Sequence, residues 1–193
     1  MSGNPVHRLR TLAFKYRGGV WTVLFVAILA TACPVPGRIA AGLPLVLLGQ
    51  LLRFWGVGCI TLYRGEQVKA RRLTTWGPYA LMRNPLYAAN GLLGLGWAWI
   101  AGNLAVLIFL VTFFILYNLL IVPHEEAFLE ASFGKEYLDY KKKVGAFFPK
   151  SAYSFQLKNL RGPYDISILR KSEVHSVIVT LVGTLLIISR LWG

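Results

Sequence analysis

The sequence predicts an all-α, polytopic membrane helical bundle of about five transmembrane helices, with short interfacial helices on the cytoplasmic side. Three observations lead there. The chain has 193 residues, 55% of them hydrophobic, and a mean hydropathy of +0.53, outside the range of soluble domains. Its apolar residues gather in runs long enough to cross a bilayer. Its Lys and Arg residues lie between those runs, where they read as topology signals. A net charge of +13 would also suit nucleic acid. No interleaved aromatic and basic motif accompanies it, so no nucleic-acid partner is expected. The length fits one membrane domain over 1–193.

Residues 1–17 are polar and basic, with Arg8, Arg10, Lys15 and Arg17. The apolar run from about Gly18 to Val35, with Ala30-Thr31-Ala32, imitates a signal peptide. With Met1 at the start, the run is expected to be retained as the first transmembrane helix, ended by Pro34, Pro36 and Gly37. Ile39 to about Leu62 is the second, long enough to span with some tilt. It carries Gln50 and Arg53 on one face. Arg53 either faces protein or a cavity, or snorkels to the interface. Cys33 and Cys59 lack metal-like spacing and are expected to be small buried hydrophobes; no metal site is expected.

A basic connection over 63–85 holds Arg64, Lys69, Arg71, Arg72 and Arg83. It ends in Gly77-Pro-Tyr-Ala-Leu-Met-Arg-Asn-Pro-Leu-Tyr87, a polar junction where a helix starts at Pro85. That third helix runs to about Ala101, and one face carries Tyr87, Asn90, Gly91 and Gly94. The face is either a tight helix–helix seam or a groove for a ligand. Gly102-Asn103 makes a turn into a fourth helix, Leu104 to about Val122, so the two form an antiparallel hairpin. After Pro123, short amphipathic helices are expected along the membrane surface. A polar connector over 150–173 leads to a fifth apolar run, Val174 to Trp192.

Most acidic residues cluster at Glu125, Glu126, Glu130, Glu136 and Asp139. The third helix begins where the fourth ends, so this cluster and the Gly77–Tyr87 junction are expected to be neighbours. Such a site suits a zwitterion: Arg83 for a carboxylate, Glu125 or Glu126 for an ammonium, and Trp76, Tyr79, Tyr87 and Tyr137 for a cationic centre. The competing reading makes Glu125 and Glu126 a solvated helix start.

Gly77-Pro-Tyr-(x)3-Arg-Asn-Pro-Leu-Tyr87 resembles the motif Gly-x-Tyr-(x)3-Arg-His-Pro-x-Tyr. Glu125-Glu126, Phe133-Gly134, Tyr137, Tyr140 and Phe148-Pro149 resemble a second block, and Leu52-Arg53-Phe54-Trp55 a Leu-Arg-x-Trp segment. These belong to the integral-membrane methyltransferases that include isoprenylcysteine carboxyl methyltransferase and the phospholipid N-methyltransferases. The resemblance covers roughly residues 40–150 and leaves a C-terminal connector and extra helix over 151–193. It implies an S-adenosylmethionine cofactor held by Tyr79, Arg83, Asn84, Pro85, Tyr87, Glu125, Glu126 and Tyr137, with Gly56-Val57-Gly58 as the match to a Gly-x-Gly cofactor motif. It also implies membrane lipids as partners and a hydrophobic methyl acceptor. For an amine, Glu126, Glu125 or His124 would accept the proton; for a carboxylate, Arg53 would supply the cation. Asn90, Gly91 and Gly94 would line the acceptor's route. Asn84 stands where the family usually has His and cannot titrate near neutrality, which leans toward a phospholipid amine and away from carboxyl methylation. A prenylcysteine carboxylate, a small thiol or a sterol-like lipid stays open, as do a non-catalytic scaffold and the oligomeric state.

The N-terminal segment and the stretches 63–85 and 123–173 hold 18 of the 21 Lys and Arg residues. With five spans all three fall on one side, which the positive-inside rule makes cytoplasmic, with the C-terminus outside. Single cysteines placed at Arg38 and Ser151 test this. An impermeant thiol reagent added from outside is expected to label position 38 and spare 151.

Overall fold

Residues 5–60 and 72–192 are described by the computed structural model. The expected basic residues Arg64, Lys69 and Arg71 lie outside that range. The chain is 79% helical, with no strands among the described residues. The basic N-terminal segment forms α1 (Pro5–Lys15), which meets α2 (Arg17–Ala30) at a 65° bend. The first span therefore ends at Ala30, short of the expected Val35. α3 (Pro36–Gly58) follows, and a single turn, α4 (Pro78–Leu81), precedes α5 (Pro85–Ala101). Pro85 opens α5 because its missing N–H is not needed in a first turn. Gly102 ends it at φ +136°, a conformation favouring glycine, and the hairpin into α6 (Asn103–Phe113) follows.

The expected stop at Pro123 is not observed. α6 runs through a π-helical segment (Phe114–Ile121) into α7 (Val122–Phe133), giving one helix of 31 residues, roughly 46 Å long. A proline at 123 leaves the Leu119 carbonyl without its usual α-helical donor. The Arg10 Nε of α1 donates to that carbonyl at 3.2 Å. Local widening to π geometry thus carries the helix past the proline. Gly134 separates off α8 (Lys135–Lys143), the expected short amphipathic helix. The connector holds a 3₁₀ turn (Ala152–Phe155), α9 (Leu157–Leu160) and α10 (Ile166–Ser172), bent 55° from α11 (Val174–Ser189).

Among the described residues, α3 and the 31-residue helix are each long and apolar enough to cross a membrane, and each bent pair, α1–α2 and α10–α11, would add one more. That makes two to four spans where about five were expected. α5 is apolar but has 17 residues, about 25 Å of helix.

Glycine lets α5 lie against α3. Gly42, Gly49 and Gly56 recur every two turns along α3, facing Gly96 with Ile100, then Ala89 with Leu93, then Leu86. A Cβ at Gly49 would stand 2.8 Å from both the Ala89 carbonyl oxygen and the Leu93 nitrogen. Backbones meet here because no side chain intervenes. Trp97, Ile100, Phe109, Ile28 and Ile187 close the core around this crossing. Cys59 is buried as expected, whereas Cys33, in the turn after α2, is exposed.

Gly49→Leu is expected to lower unfolding stability in detergent by roughly 1–3 kcal/mol through overpacking. Gly37→Leu, where an added Cβ meets nothing within 4 Å, is the control and should leave the fluorescence-monitored midpoint in place.

Candidate functional site

The Gly77–Tyr87 junction and the acidic residues of α7 come together as expected. Arg83 is the pin. Its Nε and Nη2 donate to Glu126 Oε1 at 2.9 and 2.6 Å, and its Nη1 donates to the Val144 carbonyl. Lys141 Nζ lies 3.2 Å from Glu126 Oε2 and 3.7 Å from Glu130. The Arg83 and Lys141 cations thus flank one buried carboxylate, which compensates its loss of water. Arg83 and Asn84 also donate their backbone N–H groups to Gly145 and Ala146 carbonyls. The Asn84 side chain donates to Ala146 as well, at 3.2 Å. Asn84 therefore latches the junction to the segment after α8.

Glu125 and Glu126 lie inside the long helix. The reading that made them a solvated helix start is overturned, because the helix does not begin there. Glu125 accepts from the Tyr87 hydroxyl at 2.6 Å. The Tyr87 ring packs on Tyr117 at 4.6 Å between centroids, and Phe113 lies 4.8 Å from Tyr117. Carboxylate and aromatic faces together suit a compact cation. The buried Tyr137 hydroxyl sits beside Arg83 and Glu126 without an aligned hydrogen-bond partner among the described residues. Burial, then the Glu126 carboxylate, pushes its pKa well above the usual tyrosine range. Pro85 is buried at the helix start. The Tyr79 carbonyl accepts from Tyr140 at 2.7 Å.

Other expected site residues fall elsewhere. His124 packs on Phe14 of α1, with ring centroids 5.5 Å apart. Gly56 belongs to the α3–α5 seam against Leu86, and Gly58 lies under the Tyr164 ring. Gly91 and Gly94 seat the Phe113 and Phe109 rings of α6, so that face is largely the tight seam. Asn90 instead turns toward α3, where its Oδ1 accepts from Arg53 Nη1.

Arg53 does not snorkel. Its Nε and Nη2 donate to both oxygens of Glu173, at 3.0 and 2.8 Å. Glu173, 3% exposed, sits at the α10–α11 bend. This partner was not foreseen, because nothing in the local sequence links residues 120 apart; the only signal was an acid at the head of an apolar run. Tyr117 was also missed. Its hydroxyl takes donations from Trp21 Nε1 and, at 3.4 Å, from Asn90. Beside Arg53 opens a cavity of about 680 Å³ lined by α2, α3, α5, α10 and α11. No group of three or more His, Cys, Asp or Glu placed to hold a metal occurs among the described residues.

A family model described as phospholipid methyltransferase matches residues 37–136. The chain is 32% identical over 148 residues to the cobalt-zinc-cadmium resistance protein of Cupriavidus metallidurans (strain CH34), covering 70% of this chain and 65% of that one. It is 30% identical over 144 residues to the nickel-cobalt-cadmium resistance protein of Alcaligenes xylosoxydans xylosoxydans, covering 70% and 66%. The match thus takes in just under two thirds of each relative's length. No solved structure matches the chain.

A double-mutant cycle tests the pin. Arg83→Ala and Glu126→Ala are expected to couple by about 1–3 kcal/mol in denaturant unfolding. Additive effects would show that the two side chains do not hold each other.

Proposed function

The chain belongs to the phospholipid methyltransferase family, and from that premise we propose that it is an S-adenosylmethionine-dependent methyltransferase acting on a lipid or other hydrophobic acceptor within the membrane. The observation that carries this reading is the pairing of Arg83 with Glu126 beside Tyr87 and Glu125, which brings the two resembling sequence blocks into one site.

The residues present fit the cofactor in chemistry. The carboxylates of Glu125 and Glu126 and the rings of Tyr87 and Tyr117 suit the positive sulfonium and ammonium groups. Arg83 and Lys141 suit the amino-acid carboxylate, which would compete with Glu126 for them. The orphaned Tyr137 hydroxyl supplies a further buried polar atom at the same place. When bound, the cofactor supplies an activated methyl group, so the protein has mainly to orient the partners. Glu125 is the better-placed proton acceptor for an amine, since Glu126 is engaged with two cations. His124, turned to Phe14, is the weaker candidate. Asn90 and Arg53 lie across the packed rings of Tyr87 and Tyr117 from Arg83 and Glu126, and we assign them to the acceptor.

We further propose that this site lies on the cytoplasmic face, where the positive-inside rule puts the basic segments. The relatives are named for metal resistance. For this chain we propose methylation rather than metal ligation as the contribution.

Titration calorimetry with S-adenosylmethionine is expected to show binding that weakens at least about tenfold in Glu125→Ala and in Glu126→Ala. Membranes containing the protein, supplied with methyl-labelled cofactor, should then yield a labelled species in the lipid extract. No heat of binding in the wild type would count against the cofactor site.

A further inference from the structure

The cavity of about 680 Å³ is graded along its length. α2, α5 and α11 all begin at the end where α3 finishes, as the Trp21–Tyr117, Phe25–Trp97 and Arg53–Glu173 contacts show. At that end the lining is mostly polar: Arg53, Asn90, Ser172, His175 and Ser176, with Trp21 and Thr22 of α2 beside them. One to two turns deeper it becomes mainly aromatic and aliphatic, with Phe25, Leu93, Trp97 and Val179, and Thr180 beside them. Two helices contribute to the gradient independently: Asn90 precedes Trp97 on α5, and His175 precedes Val179 on α11. A polar mouth over an apolar shaft matches an amphiphile oriented head toward the junction and chain toward the bundle centre.

The polar end is mainly a donor surface. The guanidinium of Arg53 lies there, held in place by Glu173 and Asn90. A head rich in hydrogen-bond acceptors suits it. The volume of about 680 Å³ is within the roughly 300–1,000 Å³ of small-ligand sites. Most of the lining comes from α2, α10 and α11, outside the family-matched residues 37–136. The Arg53–Glu173 pair ties the α10–α11 bend to α3 and so sets the position of that wall.

We propose that this cavity binds the methyl acceptor, and that the acceptor is a single-chain amphiphile: one alkyl or isoprenyl chain carrying a hydrogen-bond-accepting head. This narrows the phospholipid preference suggested by Asn84, because about 680 Å³ is too small for a whole two-chain lipid, which would leave a chain outside. The word acceptor rests on the methyltransferase reading; the binding does not.

The test uses purified full-length protein in lipid nanodiscs and two probes with the same chain-end diazirine: hexadecanoic acid and a two-chain phosphatidylethanolamine. After irradiation, peptides are mapped by mass spectrometry. Hexadecanoic acid is expected to label peptides containing Phe25, Trp97 or Val179. Filling the shaft from two different helices, with Val179→Trp or Thr22→Trp, should cut that labelling at least about tenfold, with S-adenosylmethionine binding retained in each. Labelling that stays at the wild-type level in both filled variants would overturn the proposal. So would labelling confined to outward-facing residues such as Leu47 and Leu107, both largely exposed, or equal shaft labelling by the two-chain lipid. Shaft labelling in a protein that binds no S-adenosylmethionine would leave the chamber standing and remove the methyltransferase reading.

Discussion

The close crossing of α3 on α5 is the constraint on which the remaining structure depends. Gly42, Gly49 and Gly56 let two helices meet backbone to backbone, where side-chain packing alone gives a wider separation. That short distance brings Arg53 within reach of Asn90. It also sets the end of α3 against Pro78 and Leu86, near the two ends of the polar junction. A guanidinium drawn in this far needs an acid, since an unpaired buried charge is far more costly than a paired one. Glu173 meets that need with both oxygens. The C-terminal helix is thus recruited to a site fixed by the glycines.

Two arginine–glutamate pairs then mark two halves of the molecule. Arg83–Glu126 joins the junction to the long helix, and Arg53–Glu173 joins α3 to the C-terminal bend. Between them lie the rings of Tyr87, Tyr117 and Trp21, connected through Asn90. On the proposed reading, the first half faces a water-soluble cofactor and the second an apolar chain. The tyrosine layer between them is where a donor and an acceptor arriving from opposite sides can meet without a shared entrance.

Much of this was legible in the sequence, and the gaps have physical causes. The α5–α6 hairpin was readable because Pro85 and Gly102 act locally, one by lacking an N–H and the other by tolerating positive φ. The proximity of Arg83 to Glu126 followed from that hairpin. Pro123 misled for the opposite reason: its local effect is cancelled by something remote. The π segment shifts the hydrogen-bond register, and Arg10, more than a hundred residues away, takes up the Leu119 carbonyl. Gly91 and Gly94 showed a small-residue face, yet sequence alone could not say that Phe113 and Phe109 fill it. Glu173 was invisible as a partner because an ion pair between distant residues has no periodicity.

The division between matched and unmatched segments follows the same line. Residues 37–136 carry the junction, the paired acids and the glycine crossing, the parts a common methyl donor would require. The walls of the cavity come mostly from α2, α10 and α11. A chain that exchanged its terminal helices would keep Arg83, Glu125 and Glu126 in place and alter the shape of the shaft. It would also have to supply a new acid for Arg53, because α3 carries that cation to its place whichever helix neutralises it. Glu173 is therefore the residue that binds the wall outside the matched segment to the core within it, and on the proposed reading the shape offered to an acceptor depends on how that one charge is met.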